Sequence, residues 1–540
     1  MNILAATLIA ASAAWSFHLV SFLDAKGIVL AVGLCFATIL QALSGRLSGK
    51  GFQLFLPLWA GLLAWILMGL FTAQVPFYLI EKAIFLGILL TAASIAAEAF
   101  GHPKGRVWLL RSVIASGTLV GTLALLQYFS MIDFLFPVFP AYTQRAYSVF
   151  GNQNLLGGYV ALCIPPVLSK ILRPRKILIC KLLFYSAVFS ILLGALVVSS
   201  TRSAWLAAAV GCIWVITGRS ALKKYRRTTA LRWPQLLVLF VPLVLIVAAS
   251  APLIHSRLNA TFSDDDIGGN SRIWFWAGAC CMVRENFLFG VGLGNFAFWS
   301  PYYQGKALEA WGNDALYHNE LHTVHAHSEP LEMAAESGII GCLFILWFIL
   351  PLLRRHRHET PALLTLAVFS CFNTISHSPS HLFAGLLLAG SVLVQNRTIR
   401  KSGRSANCLI PCTAVLLFTV GYVFTAIIPS ALLNHAEQTH IRGGAPEPLY
   451  LRALHWPWPN PQAQESYAIL LMDEGRYDAA WVHLEYAAEG IDTGRIHLLQ
   501  AVCADAAGDK ITSTYHANEC LYRWPDNAKA KTLVSSSIRR

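Results

Sequence analysis

"KLLFYSAVFSILLGALVVSSTRSAWLAAAVGCIWVITGRSALKKYRR", Lys181 to Arg227, decides how the chain folds. Its apolar run is far longer than the roughly 20 residues that cross a bilayer as one helix. Only "SSTRSAW" interrupts it. Basic residues stand on both flanks: Lys170, Arg173, Arg175, Lys176 and Lys181 before; Arg219, Lys223, Lys224, Arg226, Arg227 and Arg232 after. Such clusters collect on the cytoplasmic side of a membrane. Two flanks on one side require an even number of crossings. The run therefore reads as two short helices that turn at Arg202 on the outer side.

The same logic divides 361–396. Arg354, Arg355 and Arg357 precede it, and Arg397, Arg400, Lys401 and Arg404 follow. The outer turn is then "SHSPSH", Ser376 to His381. Working outward, apolar spans fall at about 3–22, 27–43, 52–73, 76–98, 107–128, 154–172, 182–199, 203–218, 233–250, 338–353, 361–376, 382–396 and 409–430. The expected fold is an all-α polytopic membrane protein with about 12–13 transmembrane helices and the N-terminus inside. The stretch Met1–Val20 reads as a retained first helix, not a removed leader, because it lacks a basic start.

Composition agrees. Of 540 residues, 56% are hydrophobic and 13% charged, against about 25% charged in a soluble domain. A multidomain soluble enzyme is excluded. The net charge of +13 is absorbed by the cytoplasmic loops, so no nucleic-acid partner is called for. No P-loop and no GxGxxG occurs, so the energy for any reaction must arrive with the substrate. No CxxC occurs among the 12 cysteines. The expected segments are 1–140, N-terminal helices; 141–400, a core that includes an outer loop 251–337; 401–432, the last crossing; and 433–540, a small extracytoplasmic helical tail. In the tail, "GRYDAAWVHLEYA" resembles half of a tetratricopeptide-type helix pair. Cys503 and Cys520 lie at a spacing that suits two antiparallel helices, either as a disulfide or as two buried thiols.

Four polar features fall on the expected outer side. "RAYSVFGNQNLLGGY", Arg145 to Tyr159, carries Asn152 and Asn154 at a helix start, where amides either cap the helix or bind a sugar or phosphate. Arg202 either snorkels to head groups or holds an anionic substrate group. An acidic turn, Asp264 to Gly269, precedes Arg272 and an amphipathic helix, Ser271–Val283, at the interface. Last comes "LHTVHAHSEPLEMAAESGIIG", Leu321 to Gly341, with His322, His325, His327, Glu329 and Glu336. Three readings stand for it: a metal set from the histidines with Glu329 or Glu336, a polar loop at the interface, or catalysis by a neutral imidazole that takes a proton from a hydroxyl. Arginines for phosphate, amides for hydroxyls and a histidine base together suit a lipid-linked phosphate substrate.

"SVFGNQNLLGGYVAL", "SSTRSAWLAA", "NSRIWFWAGACCMVRENFLFGVGLGNF" and "HAHSEPLEMAAESGIIG" occur in the order seen in the O-antigen ligase and polymerase superfamily. That group comprises O-antigen ligases, O-antigen polymerases and protein O-oligosaccharyltransferases, and the chain resembles it over about 140–395. The resemblance implies a GT-C-type glycosyltransferase of the bacterial inner membrane, with its active site and tail in the periplasm. It implies transfer of a glycan from undecaprenyl pyrophosphate to a hydroxyl of the lipid A core, with inversion, no cofactor and no metal. Protein or another glycan repeat is the alternative acceptor. Among implied roles, His327 is the base, His325 supports it, and Arg202 contacts pyrophosphate. Arg145 and Arg272 accompany Arg202, and Glu336 is the motif's glutamate. "GNQN" departs from the "QPNH"-like sequence usual in protein-glycosylating members. A transporter or flippase, the competing class, would show an internal repeat, and none is found.

Overall fold

Among the described residues thirteen apolar helices form, each at one of the expected spans. The computed structural model describes residues 2–15, 22–44, 47, 50–132, 146–172, 178–221, 233–260, 267–311, 323–354, 358–393 and 409–538. Arg145, His322 and Asp264–Asp266 lie outside these. Among the described residues seven helices are long and apolar enough to cross a membrane: Asp24–Leu43, Pro76–Phe100, Pro103–Tyr128, Gln153–Ile171, Ile179–Val198, Glu329–Leu352 and Leu409–Ile441. Six shorter apolar helices fill the other expected spans, including Arg202–Thr217, Thr360–Ser370 and Pro379–Leu393. No strand occurs among the described residues. The protein is an all-α polytopic membrane protein.

The Gln153–Ile171 helix is the hub, with 83% of its apolar window buried, whereas Glu329–Leu352 is peripheral at 28%. Lipid tails give helices no apolar reason to associate, so small residues that let backbones approach do that work. At Gly158 a β-carbon would strike the Phe369 ring, and at Gly211 it would strike the Thr365 hydroxyl. Large apolar side chains on the rim, such as Leu67, Phe240 and Leu417, stay exposed.

The expected turn at Arg202 forms. One helix ends at Val198 and the next begins at Arg202. A further break falls where the expected span 338–353 begins, although the residues before it, expected in the outer loop, are helical from Glu329. Gly338 sits inside the Glu329–Arg354 helix with φ 61° and ψ −167°, which divides it into a polar first part and an apolar second part. The segment after Glu285 stitches this break: Ile339 N donates to Phe287 O (2.9 Å), Val291 N to Ala335 O (2.9 Å) and Gly292 N to Glu336 O (3.0 Å).

The last apolar helix does not stop near 432. It runs through a π-bulge at Val423–Ile427 to Ile441 and leads directly into the tail. There Pro461–Asp473 pairs with Tyr477–Ala488, and Gly494–Ala506 with Lys510–Arg523. Cys503 and Cys520 are both buried, in separate apolar clusters, and form no disulfide.

Candidate active site

The polar first part of the Glu329–Arg354 helix presents Glu329, Glu332 and Glu336 on one face, at the i, i+3 and i+7 spacing of a helix stripe. Glu329 and Glu332 hold the turn at 374–377, and Glu336 holds the start of the Phe296–Trp311 helix. Glu329 Oε2 accepts from Ile375 N (2.8 Å) and Ser376 N (2.9 Å). Glu336 Oε1 accepts from Phe296 N at 3.4 Å. Glu332 is the central one. Its Oε2 accepts from Ala326 N (2.9 Å) and the Thr374 hydroxyl (3.0 Å), and its Oε1 lies 3.0 Å from His377 Nε2.

His325 and His377 face each other with ring centroids 3.9 Å apart. Lys82, from the Pro76–Phe100 helix, brings Nζ to 2.9 Å from His377 Nε2 and 3.3 Å from the Ser376 hydroxyl. One ring nitrogen holds either a proton or a lone pair. His377 Nε2 thus serves Lys82 or Glu332 fully, not both, and one proton placement is shared along the row. About a third of the His377 side chain is accessible (35%), yet its Nε2 lies inside the cluster. That desolvation, with Lys82 adding to it, holds His377 well below 6.5. Burial, then His377, does the same to His325. Both imidazoles are neutral at pH 7.

His327 is set differently. Its φ of 51° places a non-glycine residue in the left-handed region, a strain of the kind found at functional sites. The backbone turn lays its ring on Phe275, centroids 5.5 Å apart. Arg272 lies one turn before Phe275 on the same helix face. Burial and Arg272 both lower the His327 pKa from 6.5, and Glu332 opposes them. Arg272 Nη2 donates to Asn373 Oδ1 at 3.4 Å, and Asn373 Nδ2 donates to the Ser203 hydroxyl at 2.9 Å. The helix that begins with Arg202 is thereby tied to the His327 region.

The other expected residues have structural partners. Asn152 caps its helix: Oδ1 accepts from Asn154 N (2.8 Å) and Leu155 N (3.4 Å). Asn154 Oδ1 accepts from the Thr201 hydroxyl at 3.4 Å, next to Arg202. Glu336 is buried against the loop backbone and holds Phe296.

His325, Glu332 and His377 offer ligand atoms within 4.8 Å of one another. This is not the set the sequence pattern suggested, since only His325 belongs to both. A cation is already part of the cluster, because Lys82 Nζ stands beside the same Nε2 a metal would use. Lys82, Glu332, Asn373 and His377 were not singled out from sequence. The signals were present. "EK" at Glu81–Lys82 is an ionisable pair inside an apolar span, and His377 sits in a turn placed on the histidine side.

Residues 187–346 match the family model described as O-antigen ligase (Wzy_C). No curated protein matches the chain. The matched segment holds Arg202, Arg272, the three histidines of the motif and Glu329 to Glu336, while Lys82, His377 and the tail lie outside it. The chain thus carries an O-antigen ligase domain over residues 187–346, which supports a place in the O-antigen ligase superfamily and a glycosyltransferase-type enzyme of the membrane.

Proposed function

We propose that the protein transfers a glycan from undecaprenyl pyrophosphate to a hydroxyl of the lipid A core, on the periplasmic face of the inner membrane. The observation that carries this reading is His327: a strained, neutral imidazole beside Arg272, in a family of glycan-transferring membrane enzymes. The acceptor O–H gives its proton to His327. The acceptor oxygen attacks the anomeric carbon of the first sugar and forms the new C–O bond. The bond from that carbon to the pyrophosphate oxygen breaks, and its electron pair leaves with the pyrophosphate. Arg202 and Arg272 offset the charge that develops there. Attack from the face opposite the leaving group inverts the anomeric centre. His325, Glu332, His377 and Lys82 fix the segment that carries His327.

The test is transfer in a null strain, with wild type, His327→Ala and Arg202→Ala at matched protein levels. Lipid-linked glycan, lipopolysaccharide ladder and glycoprotein are followed together. Both variants should lose product and accumulate lipid-linked glycan, and the missing product names the acceptor. Unchanged products in both would remove the mechanism.

A further inference from the structure

The outer end of the Pro76–Phe100 helix, the one that carries Lys82, is gripped from three directions. At its start, Asn295 is fully buried; its Oδ1 accepts from Val75 N at 2.7 Å and its Nδ2 donates to Val75 O at 3.4 Å. A helix start leaves backbone donors unsatisfied, and here the loop before Phe296 supplies a partner. One turn on, the Tyr78 hydroxyl donates to the Gly490 carbonyl of the tail at 3.1 Å. Gly490 lies so close that a β-carbon there would come within 2.9 Å of the Phe77 ring. Then Trp458, also in the tail, donates its indole N–H to Glu81 Oε1 at 2.6 Å.

Glu81 and Lys82 are consecutive, so they point about 100° apart around the helix. Glu81 turns to the tail while Lys82 turns to Ser376 and His377. A rotation or slide of this helix end cannot change one contact without changing the other.

The tail's own seat is built into the bundle. At the π-bulge the Ile428 N–H reaches back to Val423 O. The next donor in that pattern would be residue 429, a proline with no N–H. The Phe424 carbonyl is thus left without a helix donor, and Trp456 fills it with its indole N–H at 3.0 Å. Beyond it, the Tyr522 and Tyr302 rings meet at 5.7 Å, and the Arg523 guanidinium lies 6.0 Å from the Tyr302 ring centroid. The tail so touches both the helix that bears Lys82 and the Phe296–Trp311 helix that Glu336 anchors.

We infer that the C-terminal helices are a clamp for the cluster that positions His327, with Trp458 and Glu81 as positioning residues that set Lys82 against Ser376 and His377. This rests on the functional reading above. The test is a double-mutant cycle on the full chain in membranes, following initial transfer rates, thermal melting and protein amount for Trp458→Phe, Lys82→Met and the pair. Trp458→Phe keeps an aromatic ring and removes the donor. It should lower turnover on the order of tenfold, as a displaced reacting geometry does, at unchanged melting. Added to Lys82→Met it should lower turnover no further, because both act through one group. Glu81→Leu removes the same hydrogen bond from the other side and should give the same loss. Effects of Trp458→Phe and Lys82→Met that multiply, or a Trp458→Phe rate equal to wild type, overturn the clamp. A wild-type rate for Lys82→Met alone instead removes Lys82 from the functional reading.

Discussion

The Lys82 amine stands 2.9 Å from Nε2 of His377, 295 positions away in the chain. The contact joins a helix of the N-terminal segment to the turn between two of the last apolar helices. It also puts a positive group into a cluster that otherwise resembles a metal site.

That placement predicts metal independence. The amine occupies the approach to the nitrogen that a divalent ion would take. Transfer by purified wild-type enzyme should be unchanged by EDTA. A loss on chelation, restored by zinc or manganese, would reassign His325, Glu332 and His377 as ligands. Lys82→Arg should keep more activity than Lys82→Met, since it keeps the charge.

The pH profile tests His327. Its pKa is lowered by burial and by Arg272, so the proton-accepting form persists below pH 6.5. The acid limb of kcat/KM should therefore lie below 6.5. Arg272→Gln removes a repulsion of the protonated ring and should move that limb upward, towards 6.5, besides lowering the rate. A limb that stays in place in Arg272→Gln would detach it from His327.

Gly338 tests the stitched break. Its φ is positive, and a β-carbon would collide with the Leu288 carbonyl oxygen. Gly338→Ala should cost about 1–3 kcal/mol or more, the range for a strained backbone. The readout is thermal unfolding in detergent. An unchanged melt would show that the helix straightens freely.

Asn152 separates capping from substrate contact. Asn152→Ala should destabilise by ~1 kcal/mol, as loss of a cap does, while Asn152→Asp keeps the accepting oxygen and most of the stability. A large rise in KM for the donor in Asn152→Asp would instead assign the amide to the substrate.

Helix order, the turn at Arg202 and the gathering of His325 and His327 at the head of an apolar helix were determined by sequence alone. The reason is that apolar length and flanking charge are local properties, and a bilayer turns them directly into topology. Gly338 was visible only as part of a motif, because a positive φ becomes necessary only when the loop at Leu288 packs against it. Asn152 read as either a cap or a substrate contact and Glu336 as the motif's glutamate, and packing gives each of them backbone partners. Lys82, Glu332 and His377 came together only in the tertiary structure. Which polar group within an apolar helix meets which other depends on how helices rotate about their axes, and small residues such as Gly158 and Gly211, packed against distant helices, set that rotation.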